Sequence, residues 1–111
     1  MTTKIYEGRS TSSSDQIYTV EHGKIYKGRS TSSSDELKNF NPAALKIDGN
    51  KVYKGKSTSS SDQIMNLETL KVFKGRSNSS SDQIASIDGD RLTDSEFENV
   101  IYILAQRNNL I

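Results

Sequence analysis

Sixteen of the chain's eighteen serines lie in four short segments, and each segment closes on an aspartate: Asp15, Asp35, Asp62 and Asp82. Serine hydroxyls, carboxylates and an imidazole are the parts of a nucleophilic hydrolase. The chain has one imidazole, His22. Such a site needs one serine singled out by a base within hydrogen-bond reach, and donors aimed at the developing oxyanion. Four equivalent segments single out no serine, and one histidine in one turn cannot serve four. His22 therefore reads as an exposed turn residue, and no catalytic residue is assigned.

The acidic residues could instead hold a cation. In "DGDRLTDSEF", placing Glu96 at the twelfth position of a calcium loop puts Asp90 where glycine is required. Ala85 and Ile87 then fall at the first and third ligand positions, so the motif fails. The repeated aspartates could line up as a calcium column, but known columns use a glycine-rich nonapeptide that is not present here. A basic residue stands six positions before each aspartate, pairing Arg9 with Asp15, Arg29 with Asp35, Lys56 with Asp62 and Arg76 with Asp82. A salt bridge bracing each loop is the preferred reading, which makes these eight residues structural. No metal or cofactor is expected.

One surface is a candidate for binding. Lys4 and Tyr6, Lys24 and Tyr26, Lys51 and Tyr53, Lys71 and Phe73 each flank a single residue, so in a strand both members of a pair point the same way. Four stacked pairs would make a ladder of cations and rings able to bind a sugar or a polyanion. The competing reading makes the rings a second core layer edged by lysines.

These residues are placed by an internal repeat. Units begin at Lys4, Lys24, Lys51 and Lys71, spaced 20, 27 and 20 residues apart, which divides one domain of residues 1–111 into repeats 4–23, 24–50, 51–70 and 71–90 plus a tail of 91–111. Superposed, they give four apolar columns: Ile5, Ile25, Val52, Val72; Tyr6, Tyr26, Tyr53, Phe73; Ile17, Leu37, Ile64, Ile84; and Val20, Ile47, Leu67, Ile87. Each unit holds two short β-type runs, joined to the next by turn signals such as "EHG" and "IDGN". A lone unit buries too little to offset the entropy of ordering it, so the units must share a core.

The expected fold is mainly β: four two-stranded repeats stacked as a β-solenoid or hairpin array, with a C-terminal α-helical cap. A closed eight-stranded barrel is the alternative. The seven extra residues of the second unit, around Asn41 and Pro42, suit one helical turn over 42–46. Arg91 and Leu92 mimic the start of a fifth unit. Thr93 and Glu96 then have capping-box spacing, and Phe97, Val100, Ile101 and Leu104 form a helical stripe, predicting a helix over 94–107 that covers the last hairpin. The first unit has only "MTT" before it, so an open stack would leave its edge bare, and a homodimer through the N-terminal repeat is the expected remedy.

Units 24–35 and 51–62 resemble those of small bacterial tandem-repeat proteins that read I-D-G-K-I-Y-K-G-x-S-x-S-S-D and end in one helix. The resemblance spans nearly the whole chain. It departs at 41–47 and at "LETL" before Lys71, and it implies architecture without an activity.

Composition narrows the rest. Leu, Ile, Val and Phe make only 24 of 111 residues, while the net charge is +1, so a folded protein with a narrow core is expected. Near-neutral charge argues against nucleic acid as a partner. Without cysteine there is no disulfide or thiolate site. No apolar run reaches membrane-spanning length, and "MTTKIYEGRS" lacks the pattern of a secretory signal, so a cytoplasmic location is expected. The function these features favour is a non-enzymatic structural or interaction module with a protein or glycan partner. A carbohydrate- or polyanion-binding module is the alternative, and a small hydrolase the second.

Overall fold

The architecture was established from a computed structural model, which describes residues 2–68, 70–89 and 91–111. Each unit's paired runs are strands: β1 (Thr2–Glu7), β2 (Gln16–Glu21), β3 (Lys24–Lys27), β4 (Leu45–Asp48), β5 (Lys51–Lys54), β6 (Gln63–Glu68), β7 (Lys71–Lys74) and β8 (Gln83–Gly89), followed by one helix, α1 (Asp94–Arg107). All strand pairs are antiparallel and join into a single open sheet of order β3-β2-β1-β8-β7-β6-β5-β4. It is a hairpin array rather than a closed barrel.

Two kinds of connection alternate. Tight turns link β2 to β3, β4 to β5 and β6 to β7, and serine-rich loops link β1 to β2, β5 to β6 and β7 to β8. Antiparallel pairing therefore sends every tight turn to one rim of the sheet and every serine loop to the other. At the first turn His22 and Gly23 both take positive φ, 53° and 76°, as the two central residues of a type I′ turn must.

The order of units along the sheet is two, one, four, three and two again, with β3 and β4 of the second unit at opposite edges, so the first and fourth units are neighbours, unlike in a stack that simply follows the chain. β1 lies inside the sheet, third from the β3 edge, paired with β2 on one side and with β8 on the other. The bare N-terminal edge that motivated a homodimer is thus already filled by the chain's own fourth unit. The junction is close: a Cβ on Gly89, whose φ is 125°, would lie 2.5 Å from the Thr2 carbonyl oxygen. Only glycine fits there.

One hydrogen bond recurs between neighbouring units and shows that they follow each other in a ring. The amide of Gly28 donates to Ile17 O at 2.7 Å, that of Gly75 to Ile64 O at 2.7 Å, and that of Gly8 to Ile84 O at 2.9 Å, the last carrying the pattern from unit four back to unit one. For Gly55 the acceptor is Ala44 O at 2.8 Å. By repeat spacing the acceptor should be Leu37, seven residues earlier. Leu37 instead donates its amide to Ile25 O at 2.7 Å, and Glu36 bridges Tyr26. The second strand of unit two is thus split. Its first residues stay with β3, while the rest, displaced by the extra residues, appears as β4 beside β5. The seam of the sheet lies at this insertion, which crosses from one edge to the other through a 3-10 turn at Pro42–Ala44, a shorter turn than the 42–46 expected.

Side chains alternate across the sheet. Ile5, Val20, Ile25, Val52, Leu67, Val72 and Ile87 face inward and share one core with Val100, Ile101, Ile103, Leu104 and Ala105 of α1. A further column of inward residues, Tyr18, Leu45, Met65 and Ala85, completes it. The helix shares this core and packs most closely on β3 and on the 3-10 turn before β4, the two sides of the seam, rather than on the last hairpin alone. Its buried arc is accordingly wider than the expected stripe, adding Ile103 and Ala105 while Phe97 is only half-buried. Its start is as expected: Thr93 Oγ1 accepts from the Glu96 amide at 3.3 Å and Glu96 Oε1 from the Thr93 amide at 2.8 Å. Arg91 and Leu92 form no fifth strand.

Candidate functional site

The four serine loops are near copies of one structure. In each, the first serine's Oγ accepts from the amide two residues on: Ser10 from Ser12, Ser30 from Ser32 and Ser77 from Ser79 at 2.9 Å, and Ser57 from Ser59 at 3.0 Å. The hydroxyls of Ser12 and Ser14, Ser32 and Ser34, Ser59 and Ser61, Ser79 and Ser81 are each 3.0 Å apart. A single 3-10 turn follows, closed by the aspartate amide donating to the carbonyl three residues back at 2.9 Å in all four loops. Serine is the residue for this role because its short hydroxyl can satisfy backbone groups that a loop leaves unpaired.

The expected Arg–Asp brace is not formed. Among the described residues the two ion pairs are Glu21–His22, at 3.7 Å, and Glu7–Arg107, at 3.4 Å. Arg9, Arg29, Lys56 and Arg76 remain exposed with no ion pair to Asp15, Asp35, Asp62 or Asp82. Hydrogen bonds within the serine run already hold the loop, so a long-range pair across it would gain little against the entropy of fixing an exposed arginine.

The lysine and aromatic ladder is divided by depth. Tyr6, Tyr26, Tyr53 and Phe73 are 4%, 9%, 6% and 3% exposed, whereas Lys4, Lys24, Lys51 and Lys71 are all exposed. The rings point away from α1 yet are buried, forming the second layer that was the competing reading. Their cover comes from the loops. Outward-pointing hydroxyls reach carbonyls at the loop starts: Thr19 Oγ1 donates to Gly28 O at 2.7 Å and Ser86 Oγ to Gly8 O at 2.9 Å. Asn66 Nδ2 donates to Ser77 O at 3.0 Å in the same way. Each serine loop so documented lies over the outer face of the neighbouring unit.

The glutamines that open the second strands complete this layer. Gln16 Nε2 donates to Thr19 Oγ1 at 2.7 Å, Gln83 Nε2 to Ser86 Oγ at 2.8 Å, and Gln63 Nε2 to Gly75 O at 3.3 Å. Sequence reasoning missed these residues, although the "SDQI" that recurs in three units marks them. The layer has no buried side-chain polar atom left without a partner among the described residues.

The one histidine and the serine runs are not brought together. His22 has a side chain 78% exposed and stands on the tight-turn rim, opposite the serine runs. Among the described residues no group of three or more acidic, histidine or cysteine side chains is placed to hold a metal ion. Among them, too, no helix is long and apolar enough to cross a membrane. The geometry defines a class: an open antiparallel repeat sheet packed on its C-terminal helix, with repeated loops on one rim. No family model, no curated protein and no solved structure matches the chain.

Proposed function

We propose that this protein is a non-enzymatic interaction module whose contact surface is the rim of four serine loops. The observation that carries the reading is the fourfold recurrence of one loop conformation, held by its own hydrogen bonds, with charged side chains left outside any ion pair. A preformed loop loses little entropy on binding, so its exposed donors and charges are available to a partner at low cost. Four copies around one rim suit a partner that itself repeats, because linked weak contacts add as avidity. The sugar- or polyanion-binding alternative keeps only its lysines, since rings this deeply buried cannot stack on a ligand.

Photo-crosslinking groups introduced at Ser59 on the loop rim and at Asn50 on the turn rim test the reading. Incubation with extract from the source cells should give a discrete adduct from Ser59 that disappears when Arg9, Arg29, Lys56 and Arg76 are all replaced by Ala. Adducts from Asn50 alone, or Ser59 adducts indifferent to the four substitutions, would overturn it.

A further inference from the structure

A cleft lies at the seam. Where the second strand of unit two breaks away, a cleft of about 650 Å³ opens between the displaced segment and the last turns of α1. Its walls are apolar: Ile17, Leu37, Phe40, Tyr102 and Ile103. Lys27, Lys38 and Arg107 stand around them, all exposed, and no carboxylate lines the cleft. Three cations without an acid is a local departure from a chain whose fifteen basic residues are nearly matched by fourteen acidic ones. Glu7 meets Arg107 from outside the lining at 3.4 Å and leaves both lysines unpaired among the described residues.

Tyr18 and Arg107 both line the cleft. Tyr18 sits under Arg107 with its phenol pushed above its ordinary pKa by burial, the guanidinium pulling the other way. In the other three units the residues after the serine loop run on as one strand, and in unit two the insertion breaks that strand.

We propose that this cleft binds a small organic anion with an apolar body, of the aromatic carboxylate class. The apolar walls take the ring system, and Lys27, Lys38 and Arg107 take the carboxylate. This goes beyond the interaction reading and does not depend on it, because the site is a single cleft below the rim and takes a small molecule.

The test is titration of the isotopically labelled full chain with sodium 2-naphthoate, followed by amide chemical shifts, with neutral 2-naphthamide as the control. Saturable shifts confined to residues 37–40 and 102–107, Lys27 and Gly28 are expected. The amide should bind about fivefold weaker or worse, reflecting the lost charge-assisted contacts. The double variant Lys27→Glu/Lys38→Glu, at exposed positions, should weaken naphthoate about tenfold or more, while Lys4→Glu/Lys24→Glu, with the same change in net charge, should alter it by less than about twofold. The absence of saturable shifts at millimolar probe would overturn the proposal. So would shifts centred elsewhere, equal affinity for the amide, or equal weakening by the two charge reversals.

Discussion

At the scale of single residues, the outer aromatic layer carries weight that a surface ladder would not. Tyr53 is only 6% exposed, so Tyr53→Ala should cost about 3–5 kcal/mol, the range for deleting a buried aromatic ring. Thr58→Ala, on an exposed loop position, should stay within about 0.5 kcal/mol. Chemical denaturation of the two variants checks this; equal stabilities would mean that the rings are not packed. Gly89 makes a sharper case. A methyl group there meets the Thr2 carbonyl in a backbone region closed to L-residues, so Gly89→Ala should lower stability by about 1–3 kcal/mol, read from the same denaturation curves. The sequence showed the columns of like residues plainly, because Ile5, Ile25, Val52 and Val72 keep one chemistry. It hid the column of Tyr18, Leu45, Met65 and Ala85, where one buried position accepts four different shapes. It hid the loop brace too, since six-residue spacing between Arg and Asp is compatible with a bridge that serine hydroxyls make unnecessary.

Among the elements, α1 and the seven-residue insertion decide the shape. The capping box and the limits of the helix were legible because caps are local hydrogen bonds written in adjacent residues. Where the helix packs was not, since an apolar stripe does not say whether it meets one hairpin or both sides of the seam. The insertion was visible as a spacing of 27 against 20, yet its meaning depends on which strands it separates. Removing residues 38–44 restores the 20-residue spacing and joins Leu37 to Leu45. The resulting run, Glu36, Leu37, Leu45, Lys46, Ile47, Asp48, aligns residue for residue with β2. Its amides should pair on both sides, closing the seam, and hydrogen exchange should slow across β3 and the joined strand. A folded variant in which those amides exchange as fast as in the parent would contradict the assignment of the seam.

The whole molecule is a ring of four units interrupted once, in which the fourth unit returns to the first. A linear stack in chain order would separate those units by the thickness of the two between them. Lys4 of β1 and Asp88 of β8 are direct partners in the register, and both are exposed. Antiparallel partners have Cα atoms about 4.5–5.5 Å apart, within the span of a disulfide. The chain has no cysteine of its own, so the double variant Lys4→Cys/Asp88→Cys can form only one intramolecular bond. Mild oxidation at low micromolar concentration, followed by non-reducing electrophoresis and mass spectrometry, is the most direct measurement. The ring predicts a monomer two mass units lighter than its reduced form, with a single bond joining residues 4 and 88 and the native spectrum intact. Free thiols, or disulfides found only between chains, would contradict it.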